Sequence, residues 1–217
     1  MPRQQLSETE LNEGRKKILA VAMKLFSEQG YKGVTARSIA KLLGWSSMKS
    51  YRYYESKLAI FVAVRERAFT NLTIEMQNAS EAVKDPLDKL YASGYAYVKF
   101  ALDNPHEYDL CFKVDDQGEM ENYQLMSPAA VSPWDLAVEN YAVAKQAGYL
   151  KGDSSLAAHI GWISLHGLVT LQLANRLNFN LSVEDLVDPV LDCVISRFSA
   201  NRQKVPRRTK RRTFSNF

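Results

Sequence analysis

Between Gly30 and Lys57 the sequence predicts two short helices folded about one glycine, and no other stretch restricts the fold as much. Thr35 is a favourable N-cap, and Ile39, Ala40 and Leu43 give one apolar face to a helix over 36–43. Gly44 breaks that helix, and Ser46 can cap a second over 47–53. A long helix over 8–29 precedes the pair, with Leu11, Ile18, Leu19, Ala22, Leu25 and Phe26 at helical spacing. Ser7 and Glu10 form a capping box at its start, and Gly30 stands where a left-handed cap wants glycine. Another helix starts near Ser56, its stripe being Leu58, Phe61, Val62, Phe69 and Leu72. Two short helices hinged at a glycine and clamped by longer ones describe a helix-turn-helix.

Helical signals continue to the end of the apolar sequence. Pro86 suits the first turn of a helix reaching about 103, and Asn104-Pro105 opens a shorter one through Phe112. Residues 113–131, with Asp115, Asp116, Gly118, Ser127 and Pro128, read as an irregular loop. Ser132-Pro133 opens a helix ending near Gly148, and Asp153 or Ser154 opens one to about Leu177. Val183, Leu186, Val187, Val190, Leu191, Val194, Ile195 and Phe198 form a final amphipathic stripe containing Pro189. That helix either starts at Pro189 with Asp188 as cap or runs through it with a kink; the stripe keeps phase, which favours the kink. No alternating strand pattern of useful length and no internal repeat is visible. The expected class is all-α.

Charge divides the 217 residues into three. Residues 1–65 hold 12 Lys/Arg and 5 Asp/Glu, residues 66–201 hold 9 and 19, and residues 202–217 hold 7 and none. A polyanion is attracted to the head and repelled by the body. The expected domains are therefore 1–57, 58–201 and a basic, disordered tail over 202–217. No uninterrupted apolar run approaches the roughly 18 residues of a spanning helix, and the N-terminus lacks a secretory h-region. Cys111 and Cys193, far apart and without CxxC spacing, argue against a disulfide framework and suit a reducing cytoplasm. Membrane-spanning, secreted disulfide-rich and collagen-like classes are excluded on these grounds.

The segment 30–57 carries the chemistry. A recognition helix must fit the major groove and aim its first side chains at base edges. Ser46, Ser47, Met48, Lys49 and Tyr53 are the residues such a helix would present. Thr35 and Arg37 can reach phosphates, and Lys57 can grip one from the next helix start. Lys49 can read a guanine edge or hold a phosphate.

This segment resembles the DNA-binding domain of the tetracycline-repressor (TetR) family over roughly residues 10–62. The residues that carry the likeness are Gly30-Tyr31, Thr35, Ile39-Ala40, Gly44, Tyr51, Tyr54 and Lys57. Met48-Lys49-Ser50 departs from it, because the family usually has a small residue, Thr and an apolar residue there. The resemblance implies a helical dimer that binds an operator through an N-terminal helix-turn-helix domain joined to a helical ligand-binding and dimerisation domain. Tyr51 joins the DNA-binding set through it. Phe100 to Tyr108 and the run Trp162-x-x-x-His166-Gly167 are similar to a C-terminal domain of one family branch.

In the body, the 154–177 helix is apolar on more than one side: Leu156, Ile160, Ile163 and Leu171 along one direction, Trp162, Leu165, Val169 and Leu173 along others. Such a helix is usually buried. One face can pack inside the subunit and the other against a second copy, giving with the 183–198 stripe a two-fold four-helix interface. A central helix in a monomer is the other arrangement; two half-sites favour the dimer. Phe100, Phe112, Trp134 and Trp162, with His166 as a polar contact, are the expected lining of a pocket for an apolar or cationic effector. His159 and His166 lie seven apart without further ligands, so neither a metal nor a cofactor is expected. No GxSxG, Walker, GxGxxG or HExxH motif is present.

The sequence thus points to a cytoplasmic, ligand-responsive homodimeric repressor on a palindromic DNA operator, with no membrane association and no enzymatic activity. An architectural, sequence-nonspecific DNA-binding protein using head and tail is one alternative. A small-molecule enzyme with His166 as base is another.

Overall fold

The structure is a computed structural model that describes residues 6–113, 132–177 and 181–200. Among these residues there are nine helices and no strand, only a single antiparallel bridge between Leu150 and Ser199. The basic tail lies outside the described residues, as does the 113–131 segment apart from Lys113.

The chain forms two compact units. The first holds residues up to Phe69 together with the segment from His106. α1 (Glu8–Gly33) begins at the Ser7–Glu10 capping box, where the Glu10 amide donates to Ser7 Oγ at 3.3 Å and the Ser7 amide donates to Glu10 Oε2 at 2.8 Å. The Ser7 amide first, and then the Ser7 hydroxyl that donates to the same oxygen at 2.9 Å, hold the Glu10 carboxyl below the usual carboxylate range. Gly30 sits at φ +67° inside α1, so the regular helix ends where the sequence places its stop.

α2 (Ala36–Leu42) starts at Thr35, whose hydroxyl accepts from the Ser38 amide at 3.0 Å while Ser38 Oγ accepts from the Thr35 amide at 3.1 Å. Gly44 at φ +66° reverses the chain, and the Trp45 amide donates back to the Ala40 carbonyl at 2.8 Å. α3 (Ser47–Ser50) is one turn, shorter than the expected 47–53. Beyond it the Arg52 and Tyr53 amides bond three residues back, to Lys49 and Ser50, a tighter winding that ends the helix. Ser46 flanks α3 without a side-chain cap bond, contrary to its expected role.

α4 (Lys57–Glu81) gives its first half to this unit. The boundary expected at 57/58 therefore falls inside it, because Ile60, Phe61, Val64 and Ala68 pack with Ile18, Phe26 and Ile39 in one apolar cluster. α6 (Pro105–Phe112) contributes Leu110 and Cys111 to the same cluster. Each large side chain so buried supplies about 1.5–3 kcal/mol.

The second unit contains α5 (Pro86–Asp103), α7 (Pro133–Gln146), α8 (Ser154–Leu173) and α9 (Val183–Phe198). α8 packs against α5, α7 and α9. Asp85 caps α5, accepting from the Leu87 and Asp88 amides at 2.9 and 3.1 Å, and its second oxygen accepts from Tyr149 Oη at 2.7 Å. Asp153, rather than Ser154, caps α8, which ends at Leu173 before the 177 expected. α9 starts at a Ser182–Asp185 capping box and runs unbroken through Pro189, so it does not begin at Asp188.

Candidate nucleic-acid interface

The reading surface is built by the turn Gly44–Ser46, the single turn of α3 and the residues that follow. Lys49 and Ser46 are exposed, Met48 is 66% exposed and Tyr51 is 55% exposed. Ser50, at the family's apolar position, faces the core and is fully buried; its hydroxyl donates to the Ser47 carbonyl at 2.8 Å, which removes the cost of burying it. Ser47 is half-buried.

Tyr53 does not join this surface. It is 8% exposed, its ring stacks on Trp45 at 5.2 Å and 29°, and its backbone carbonyl accepts from Arg15 Nε at 3.3 Å. The tight turn after Ser50 rotates Tyr53 off the helical face that a 47–53 helix would have given it. Gly14 on α1 makes room for the ring: a Cβ there would lie 2.0 Å from Tyr53 Cε1. Sequence reasoning missed both Gly14 and Trp45. The Trp45/Lys49 spacing of four was the available signal, for Lys49 Nζ lies 4.3 Å from the centre of the Trp45 ring.

The flanking residues divide. Arg37 is exposed on α2. Thr35 is exposed too, with its oxygen engaged in the cap of α2. Lys57 is half-buried; its ammonium donates to the Tyr31 carbonyl at 3.1 Å and sits 3.7 Å over the Tyr31 ring. That ring packs with Phe26 and Phe61. Lys57 therefore ties the last turn of α1 to the start of α4, a structural duty beside any phosphate contact.

Of the expected effector residues, Trp162 and His166 adjoin on α8, and the five fall in both units. Phe112 belongs to the first unit, against Phe69 and Tyr108. Phe100 is buried at a groove of about 320 Å³ between α4 and α5, with Tyr95 beside it and Glu75, Lys99 and Asp103 at the rim. The hydrogen bond from Lys99 to Asp103 raises the Lys99 pKa. Trp134 packs on His159 with ring centres 3.9 Å apart. Trp162, on α8, neighbours His166, which shares a 3.1 Å hydrogen bond with the Tyr97 hydroxyl. Among the described residues no three His, Cys, Asp or Glu converge as metal ligands.

α8 is long and apolar enough to cross a membrane by length and hydropathy, although His159, Ser164, His166 and Thr170 interrupt it. Leu156, Ile163 and Leu171 leave it with an exposed apolar side, and Trp162, on another side, is partly exposed.

A one-turn helix with its outward side chains held on a packed trihelical head defines a helix-turn-helix DNA-binding protein. Comparison with known proteins agrees. Residues 18–64 match the model of the bacterial regulatory proteins, tetR family, and residues 90–194 match a tetracyclin repressor-like C-terminal domain. The chain belongs to the TetR family and is a DNA-binding transcriptional regulator, not an enzyme. It is 26% identical to the HTH-type transcriptional activator FasR of Mycolicibacterium smegmatis, over 75% of this chain and 70% of that one. It is 32% identical to the nucleoid occlusion factor SlmA of Haemophilus ducreyi, over 44% of this chain and 48% of that one. A Rhodococcus sp. RHA1 protein of unknown function has the same fold, with a TM-score of 0.70 at 24% identity, over 92% of this chain and 99% of that one.

Proposed function

We propose that the protein is a cytoplasmic homodimer that represses transcription from a two-fold symmetric operator and is released by a small molecule. The observation that carries this reading is the outward set of Ser46, Met48, Lys49 and Tyr51 above a core that fixes α3. Lys49 and Arg37 supply the charge that favours a phosphate backbone, and Ser46, Met48 and Lys49 meet base edges. Domain roles follow the two units: DNA binding in the first, effector binding and dimerisation in the second.

The exposed apolar side of α8 supports the dimer. Ile163 is 62% exposed, with Leu156 and Leu171 on the same helix, a patch that a second copy can cover. The groove at Phe100 gives one member of the expected effector set a cavity. An effector that binds one head spacing better than another shifts DNA affinity by the same factor that DNA shifts its own. FasR is named an activator, so the sign of regulation needs its own assay.

Selection of sites from random duplex DNA tests the proposal. We expect a palindromic consensus whose half-sites lie about one helical turn apart. Affinity should fall steeply with salt. Equal affinity for random and selected DNA would instead fit the architectural alternative. Ile163→Lys should leave a folded chain that sediments as a monomer and binds the palindrome weakly.

A further inference from the structure

The turn residue Trp45 offers a contact that the assignment of DNA contacts leaves unused. Four residues before Lys49, its indole lies under the Lys49 ammonium at 4.3 Å. The indole is itself held on its other neighbours: Tyr53 stacks on it, Gly14 gives Tyr53 its space, and the Trp45 amide is bonded to Ala40. An exposed lysine on a single helical turn ordinarily samples many rotamers, and ordering it costs up to about 1.5–2 kcal/mol. Here the side chain leans back over the Gly44–Ser46 turn, the direction that helical side chains favour. The ammonium is thus held over the Trp45 ring rather than left to search the nearest phosphates.

We propose that Trp45 is a positioning residue and Lys49 the base-reading residue it serves, directed at the O6 and N7 acceptors of one guanine in each half-site. The proposal rests on α3 being the recognition helix. Its chemistry is that of a three-donor ammonium facing two adjacent acceptors, a pattern only guanine shows in the major groove. Trp45 meets no base in this scheme. It lowers the ordering cost of Lys49 and keeps the charge from sliding to the backbone, so it sets preference more than total affinity.

The test uses the full-length protein and the duplex it selects from random DNA, with 7-deazaguanine replacing each half-site guanine in turn. Wild type should lose about tenfold in affinity at one guanine, within the range for a bidentate contact. Lys49→Met should abolish that sensitivity. Trp45→Leu should cut it to about twofold while the slope of log affinity against log salt stays the same, because Lys49 keeps its charge. Trp45→Phe, which keeps a ring, should fall between. Circular dichroism establishes which variants are folded, and the Phe variant carries the test if the Leu variant is not.

A Lys49→Met protein with undiminished guanine sensitivity overturns the proposal. So does a Lys49→Met protein with unchanged base preference and a smaller salt slope, which would make Lys49 a phosphate contact. A folded Trp45 variant that discriminates as wild type does would also overturn it. Failure of the wild type to select any site would bring down the recognition-helix reading itself, a separate and earlier result.

Discussion

Gly14→Ala sets two well-known effects against each other. Gly14 lies in the regular part of α1, and alanine in a helix interior is favoured over glycine by about 1 kcal/mol. The new methyl, however, would lie 2.0, 2.5 and 2.7 Å from Tyr53 Cε1, Cζ and Cδ1. Ordinary carbon contacts are about 3.5–4.0 Å, so the ring must retreat by more than an ångström. It has little freedom to do so, being stacked on Trp45 with its own backbone bonded to Arg15. Overpacking of this kind costs about 1–3 kcal/mol, and loss of the ring's burial adds to it. These two terms net to a destabilisation of about 0–2 kcal/mol, and the ring's lost burial adds to it, so the clash outweighs the propensity. Urea unfolding followed by circular dichroism, at fixed chain concentration because subunit association contributes, measures it. In a Tyr53→Ala background all three clashing atoms are gone, and the same substitution should be neutral or stabilising by up to about 1 kcal/mol. A Gly14→Ala protein more stable than wild type would refute the packing argument and free Tyr53 to face DNA.

Asp85→Ala removes the cap of α5 and the bond from the Tyr149 hydroxyl, so the unfolding free energy should drop by about 1–3 kcal/mol, while Asp85→Asn retains part of it. Lys57→Met should lower the urea midpoint by itself, worth about 1–2 kcal/mol, and weaken binding to all DNA sequences alike; unchanged stability would show that its bond to Tyr31 is idle. Burial pushes the Cys111 thiol up to about 12 from 9.0. The thiol stays protonated in the folded state near pH 8, so iodoacetamide should label Cys111 only after denaturation. Burial penalises only the thiolate, so this group leaves stability unchanged below about pH 9 and lowers it as pH climbs toward 12, where the unfolded thiol ionises first; a pH series of unfolding curves should show that loss.

Much of the head was legible because its signals are local. The Ser7–Glu10 box, the Thr35 cap and the positive φ at Gly30 and Gly44 each depend on a few neighbouring residues. What was not legible depends on distant partners. A helix of four residues has too few positions for periodicity to assign a face, so Tyr53 was placed outward although Gly14, 39 residues earlier, makes its pocket. Phe112 looked like one more body aromatic, yet α6 contributes Leu110 and Cys111 to the head cluster, and the carbonyl of Cys111 accepts from Arg65 at 3.3 Å. Aromatic composition named Phe100, Trp134 and Trp162 alike, but composition carries no information on which rings share a cavity.

The brevity of α3 has a consequence for how binding preference is encoded. Four residues cannot hold a helix by themselves, since nucleation alone costs more than one turn returns. The orientation of Met48 and Lys49 is therefore set by what holds the turn: buried Ser50, the stacked Trp45 and Tyr53, and the bond from Trp45 back to Ala40. Ser50 and Tyr53 face the core, and Trp45 joins them to Lys49 through its ring. Substitutions at Gly14, Ser50 or Tyr53 should then alter which sequences are bound as well as how stably the head folds, although none of the three needs to touch DNA. A recognition element of this length makes the core part of the specificity, and a search for determinants confined to exposed residues would pass over Gly14, Ser50 and Tyr53.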